Sequence, residues 1–75
     1  MRIKDLREDR QLTQREVSEL LHIRQNTYSQ YESGKRQIPI NFLITLAEFY
    51  ETSTDYILGL TDERQPYERS VEGRK

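Results

Sequence analysis

Apolar residues recur every three or four positions in several short stretches of the chain, and polar connections separate these stretches. This spacing is typical of amphipathic α-helices. The pattern predicts five helices, over residues 2–9, from 13 to a turn at 22, about 25–32, about 40–50 and between 53 and 59. It therefore predicts an all-α fold.

Residues that favour helix ends support these boundaries. Thr13 and Glu16 have the spacing of a capping box at the start of the second predicted helix. Ser53 is a suitable N-cap for the fifth helix. Gly34 and Gly59 follow the third and fifth helices, where glycine commonly ends a helix.

The third predicted helix has an unusual outer face. Tyr28 and Tyr31 lie on one side, and at about 100° per residue the opposite side is polar but uncharged. That side carries Gln25, Asn26, Ser29, Gln30 and Ser33. Amides and hydroxyls form directional hydrogen bonds, and Asn or Gln can pair with adenine through two bonds. The face is a candidate for reading DNA bases, and a neutral solvent-facing surface is the alternative.

The fourth predicted helix is apolar almost all round. Its inward stripe consists of Leu43, Leu46, Ala47 and Tyr50. Phe42, Ile44 and Phe49 lie outside that stripe. A helix of this kind is either central in a domain or shared with another subunit.

The length of 75 residues fits one small domain, which we expect over residues 1–60, with a flexible charged tail over residues 61–75. The net charge is −1, which is unusual for a nucleic-acid-binding domain. The charge is unevenly distributed, because residues 1–36 carry a balance of +2 and residues 37–75 a balance of −3. The positive part contains the third predicted helix.

Cysteine is absent, which excludes a disulfide framework and a thiolate zinc site. The sequence MRIKDLREDR lacks an apolar signal core, and no stretch is long enough for a membrane span, so we expect a cytoplasmic protein. His22 is the single histidine, and neither a phosphate-binding glycine loop nor a paired acid–base site is present. The sequence thus predicts a protein that is not an enzyme and needs no cofactor or metal.

The run LTQREVSELLHIRQNTYSQYESGKRQIP, followed by LAEFYETSTDYILGL, resembles the phage-repressor type of helix-turn-helix domain, the family of lambda repressor and Cro. The resemblance covers about residues 1–60. It implies a compact five-helix lambda-repressor-like DNA-binding domain with a helix-turn-helix at the second and third helices. The third helix would enter the DNA major groove as part of a dimer.

The resemblance also implies roles for individual residues. Base contacts fall on Gln25, Asn26 and Gln30, with Ser29 nearby. DNA phosphate contacts fall on Gln14, Lys35 and Arg36, and Arg24 places a further cation near the DNA backbone. A structural ion pair is implied between Arg7 and Glu32. His22 stands where the family has glycine, so it must either adopt a left-handed backbone or reshape the turn.

One helix in one groove contacts only a few base pairs, so specificity calls for a dimer. We expect a homodimer on a near-palindromic operator, with the two third helices about 34 Å apart. Its predicted interface consists of Phe49, Ile57, Leu58 and Leu60. The alternative is that these residues only complete the core of the monomer.

The sequence therefore predicts a sequence-specific double-stranded DNA-binding transcriptional regulator that acts as a repressor. An antitoxin-like or other protein-interaction module with the same fold is the alternative. The surplus apolar residues Phe42, Ile44 and Phe49 support that alternative, in which a regulatory protein partner binds the fourth helix or the tail.

Overall fold

A computed structural model describes residues 1–66, which form five α-helices. They are α1 (Ile3–Asp9), α2 (Gln14–Leu20), α3 (Gln25–Ser33), α4 (Ile40–Phe49) and α5 (Thr54–Leu58). The residues described contain no β-strand, and none of their helices is long and apolar enough to cross a membrane. The predicted all-α fold with five helices is confirmed.

All five helices contribute to a single hydrophobic core. The predicted inward stripe of α4 is buried, since Leu43, Leu46, Ala47 and Tyr50 are each at most 5% exposed. Ile3, Leu6, Val17, Leu21, Tyr28, Tyr31, Ile38 and Ile57 complete the core. Leu20 of α2 is an apolar residue outside this core and is 36% exposed. It lies about 60° to one side of Val17 around the helix, whereas Leu21 lies on the other side and takes the inward position.

The helix ends are fixed by local hydrogen bonds. The Thr13 hydroxyl accepts from the backbone N–H of Glu16 at 3.0 Å, and the Glu16 carboxylate accepts from the backbone N–H of Thr13 at 2.8 Å. This is the predicted capping box. The Ser53 hydroxyl caps α5 through a backbone N–H at 3.0 Å. Gly34 and Gly59 have left-handed φ values of 82° and 84°, which glycine adopts without a Cβ penalty.

The connection between α2 and α3 sets the position of α3. His22 has a φ of 59°, so of the two alternatives at this position the chain adopts the left-handed backbone. The backbone N–H of Ile23 donates to the carbonyl of Ser18 at 3.0 Å and closes the turn. Ser18 is only 2% exposed, and its hydroxyl donates to the carbonyl of Arg15 at 2.7 Å. The turn therefore holds α3 directly against α2.

The chain after α5 continues along the helices. Arg2 donates to the carbonyl of Thr61 at 3.1 Å and to the carboxylate of Asp62 at 2.8 Å. The Thr52 hydroxyl donates to the carbonyl of Arg64 at 2.6 Å. Thr61, Asp62 and Arg64 thus contact the domain through Arg2 and Thr52, and the flexibility expected of residues 61–75 stays a prediction. Residues 67–75 of the predicted tail lie outside the described part of the chain.

Candidate DNA-binding surface

The polar face of α3 points away from the core. Tyr28 and Tyr31 anchor the inner side of the helix at 0% and 4% exposure. The predicted base-reading residues share the outer side: Gln25 and Asn26 are exposed, and Ser29 and Gln30 are half-buried. The structure therefore brings all four together on one helix face, with two buried tyrosine rings supporting it from behind.

Cationic side chains flank this face at both ends. Arg24 is the residue before α3, it is exposed, and its side chain makes no capping hydrogen bond. Lys35 and Arg36 follow α3 and are exposed. The backbone N–H of Arg36 donates to the carbonyl of Gln30 at 3.2 Å, which ties this loop to the helix. A face of this kind can lie against DNA, with the cations near the phosphates and the amides in the adjoining groove.

Behind α3, a buried carboxylate joins three helices. The Nε and Nη2 atoms of Arg7 donate to the two carboxylate oxygens of Glu32 at 2.7 and 3.2 Å. The Tyr28 hydroxyl donates to the same carboxylate at 2.6 Å, and the Gln14 amide at 3.0 Å. Arg7 also donates to the carbonyl of Leu12 at 2.8 Å. The side chains of Arg7 and Glu32 are 12% and 4% exposed, so the structure places this pair in the interior.

The hydrogen bonds decide the charge state of this cluster. Burial acts to raise the pKa of Glu32, but donation by Arg7, Tyr28 and Gln14 outweighs it and lowers the pKa below the ordinary value. The hydrogen bond to Glu32 raises the pKa of Arg7. Burial and the hydrogen bond to Glu32 both raise the pKa of Tyr28. The cluster therefore holds a carboxylate, a guanidinium and a neutral phenol at neutral pH.

Two core tyrosines provide a matched pair of variants. The Tyr28 hydroxyl is bonded to Glu32, whereas the Tyr50 hydroxyl is buried and has no hydrogen-bond partner among residues 1–66. We expect Tyr28→Phe to lower the free energy of unfolding by about 1.5 to 3 kcal/mol, because it removes a hydrogen bond to a charged group. Tyr50→Phe should raise it by about 1 kcal/mol, because an unpaired buried hydroxyl is costly. Urea denaturation at pH 7 measures both values.

The dependence of folding stability on alkaline pH provides a further test of the Tyr50 hydroxyl. Burial and the nearby Glu32 carboxylate raise the pKa of Tyr50 to about 12 from 10.0. A raised pKa in the folded state contributes stability that is complete below pH 10.0 and is lost as the pH rises toward about 12. Tyr50→Phe should therefore lose less stability than the wild-type protein as the pH rises above 10.0. Equal effects of Tyr28→Phe and Tyr50→Phe at pH 7 would contradict the different environments of the two hydroxyls.

The four residues predicted for a dimer interface separate into two groups. Ile57 is 0% exposed and belongs to the core, so its inclusion in the interface was wrong. Phe49 is half-buried, and its ring lies 5.0 Å from the Tyr50 ring. Leu58 and Leu60 are exposed at 45% and 73%. Of the four predicted interface residues, only Leu58 and Leu60 offer an exposed apolar surface to a second molecule.

The structure adds apolar residues to this surface that the sequence pattern did not indicate. Met1 and Ile40 are 54% and 66% exposed, and they line one groove together with Leu58. Arg36 lines the same groove, so the groove adjoins the loop that follows α3. Met1 is the first residue of the chain and Ile40 the first of α4, so no preceding helical turn shows which face either residue occupies. Their exposure was therefore not predicted.

A family model described as a helix-turn-helix domain matches residues 1–63. The chain belongs to the helix-turn-helix domain family. The resemblance inferred from the sequence is thereby confirmed. In this domain α2 and α3 are the two helices of the motif, and α3 is the second, solvent-facing one.

Three relatives come from Bacillus subtilis (strain 168). The chain is 38% identical over 65 residues to the uncharacterized HTH-type transcriptional regulator YobD, an alignment that covers 87% of the chain and 58% of the relative. It is 31% identical over 71 residues to the HTH-type transcriptional regulator AnsR, with 95% and 61% covered. It is 40% identical over 58 residues to the HTH-type transcriptional regulator ImmR, with 77% and 46% covered. The chain thus spans about half the length of these relatives, and no solved structure matches it.

Proposed function

We propose that this helix-turn-helix domain binds double-stranded DNA in a sequence-specific manner and regulates transcription by inserting α3 into the major groove. The observation that carries the proposal is the uncharged amide and hydroxyl face of α3, which lies between cations at both ends of the helix. The names of the three relatives, each an HTH-type transcriptional regulator, support it.

The side chains divide into two roles in this proposal. Base edges are read by Gln25, Asn26, Ser29 and Gln30. Phosphates are bound by Gln14, Arg24, Lys35 and Arg36. Phosphate contacts fix the position of a protein on DNA, and base contacts specify the sequence. The overall charge of −1 does not oppose binding, because these cations lie on the surface that meets the DNA.

The regulatory effect we propose is repression. A domain that occupies an operator prevents other proteins from using the same DNA, and this effect needs no chemical reaction. For this role we propose a location in the cytoplasm, with the DNA that the protein controls. A mixture of labelled genomic fragments, incubated with the chain and excess random competitor DNA, tests the proposal. Retention of a small subset of fragments supports it, and release of all fragments at equal competitor concentration contradicts it.

Arg36→Ala should weaken binding to specific and random DNA alike. Loss of one cation at a phosphate should reduce the slope of log affinity against log salt by about 0.9, because fewer counterions are released. Fluorescence anisotropy at several salt concentrations measures this slope. Arg64→Ala is the control, since Arg64 is exposed but lies beside Asp9 at 3.6 Å, in the segment after α5. An unchanged slope for Arg36→Ala would remove this residue from the phosphate contacts.

We further propose that the domain binds a near-palindromic operator as a homodimer. The supporting observation is the apolar groove lined by Met1, Ile40 and Leu58, which adjoins the loop after α3 at Arg36, together with the 73% exposure of Leu60 two residues after Leu58. We propose that the two-fold axis of the dimer passes through this surface and that the two α3 helices lie side by side along the DNA. Half-sites would then lie about 34 Å apart, one turn of the double helix.

The double change Leu58→Ser and Leu60→Ser should weaken the dimer about tenfold or more, because both side chains lose apolar contact area. Sedimentation velocity of the protein alone and on operator DNA measures the assembly. Leu20→Ser provides a matched control, since Leu20 on α2 is 36% exposed and does not line this groove. A wild-type protein that sediments as a monomer in both conditions would contradict the homodimer.

The alternative of an antitoxin-like interaction module loses two of its three supporting residues. Phe42 is half-buried, and its ring lies 6.4 Å from that of Tyr31. The Phe49 ring packs edge-on against the Tyr50 ring, with 5.0 Å between the ring centroids. Ile44 alone is exposed, at 47%. The surplus apolar character of α4 is therefore explained mainly by packing within the domain, and DNA binding is the better-supported function.

A further inference from the structure

The Gln14 side chain is not isolated at the start of α2. Its Nε2 atom donates to Oε1 of Glu32 at 3.0 Å, across the junction between α2 and α3. Gln14 is half-buried, whereas the Glu32 carboxylate is 4% exposed. The buried Glu32 carboxylate thus holds the half-buried Gln14 amide, which the proposed function assigns to a DNA phosphate contact.

The Glu32 carboxylate is itself fixed from two further directions. Arg7 on α1 donates to both of its oxygens, at 2.7 and 3.2 Å, and Tyr28 donates to Oε2 at 2.6 Å. With the bond from Gln14, each oxygen accepts two hydrogen bonds, which is the usual capacity of a carboxylate oxygen. Glu32 therefore has one orientation, and its charge is balanced by the Arg7 guanidinium.

A glutamine amide carries two N–H donors, and Glu32 uses one of them. The second remains for another acceptor. An unrestrained glutamine side chain loses considerable rotamer freedom when it binds, whereas a side chain already held in place loses less. The Arg7 charge also limits the repulsion that a nearby carboxylate would exert on a phosphate.

We propose that Glu32 is a positioning residue for DNA binding, because it holds the Gln14 amide ready to donate its second N–H to a DNA phosphate. This proposal rests on the proposed function. Glu32 itself does not touch DNA. Its contribution through Gln14 is expected to increase affinity about three- to tenfold, for specific and random sequences alike.

A double-mutant cycle separates positioning from a purely structural role. The variant Arg7→Met/Glu32→Leu removes the acceptor and replaces a buried ion pair by apolar side chains, an exchange that buried pairs often tolerate. Gln14→Ala should weaken binding to duplex DNA about tenfold in the wild-type protein. In the Arg7→Met/Glu32→Leu background it should weaken binding no more than about twofold. Circular dichroism at the binding temperature confirms that each variant is folded.

Equal losses from Gln14→Ala in both backgrounds would overturn the proposal, because Glu32 would then support the fold alone. Tighter binding by Arg7→Met/Glu32→Leu would also overturn it, because Glu32 would then compete with the phosphate for Gln14. If the wild-type protein binds no DNA at low salt, the proposed function is wrong, and the positioning role is then wrong as well.

Nuclear magnetic resonance of the wild-type protein tests the tether without any variant and without DNA. The side-chain amide of Gln14 should show restricted motion in nitrogen-15 relaxation. Gln37, which is exposed, is the internal reference. Equal mobility of the two side-chain amides would overturn the proposal even where the double variant fails to fold, and it would do so independently of DNA binding.

Discussion

Replacing Glu32 by alanine is expected to lower the free energy of unfolding by about 3 to 5 kcal/mol, because it leaves a buried guanidinium without its partner. Arg7 is 12% exposed and donates two hydrogen bonds to Glu32. Tyr28 and Gln14 lose their acceptor in the same substitution. In a domain of 75 residues a loss of this size is a large part of the total stability. Urea denaturation with circular dichroism measures it.

Glu19→Ala is the matched control for this variant. Glu19 forms an ion pair with Arg15 at 3.3 Å, but their side chains are 65% and 77% exposed. An exposed pair of this kind contributes no more than about 0.5 kcal/mol. Unchanged melting of Glu32→Ala would contradict the interior position of its carboxylate.

The same carboxylate predicts the direction of the acid response. The pKa of Glu32 in the folded protein lies below its ordinary value of 4.5. A lowered pKa contributes stability that is present above the ordinary value and is lost as the pH falls through the pKa of the folded state. Stability should therefore decrease below about pH 4.5, and this decrease should be smaller in Arg7→Met/Glu32→Leu. A decrease of equal size in both proteins would assign the acid response to other carboxylates.

Gln30→Ala and Gln25→Ala are each expected to lose about 1 to 3 kcal/mol of binding free energy on the operator, and much less on random DNA. Both residues lie on the outer face of α3. Their amides can form two hydrogen bonds with one adenine, and random DNA seldom offers that base in the right place. Titrations of the two variants against both kinds of duplex give the four affinities.

Gln65→Ala serves as the control for these titrations, because Gln65 is exposed in the segment after α5. It should bind both duplexes as the wild-type protein does. Equal losses on operator and random DNA for the α3 variants would show that this helix contributes affinity without specificity. The division between base-reading and phosphate-binding residues would then be wrong.

Local sequence signals accounted for most of the helices. Thr13 with Glu16 fixed the start of α2, and the glycines after α3 and α5 fixed their ends, because each signal acts within a few residues. The family pattern left two possibilities for His22, and the structure shows that its backbone is left-handed. The inward stripe of α4 followed from periodicity over three turns.

Contacts between residues far apart in the sequence could not be predicted from such local signals. The bond between Gln14 and Glu32 joins positions 18 residues apart on different helices. Ile57 and Leu58 are adjacent apolar residues in a helix of five residues, which is too short for a pattern to show that one is buried and the other exposed. Arg2 holds Thr61 and Asp62 from the opposite end of the chain. These features depend on how the helices pack, which residue spacing does not encode.

The most direct test of the central claim is a paired selection of bound duplexes from random DNA, with the wild-type protein and with Gln30→Ala. The wild-type protein should enrich a motif with two symmetric halves, centred about one turn of DNA apart. Gln30→Ala should enrich the same motif with the preference at one position in each half lost. Failure of the wild-type protein to enrich any motif, or identical motifs from both proteins, would contradict sequence reading by α3.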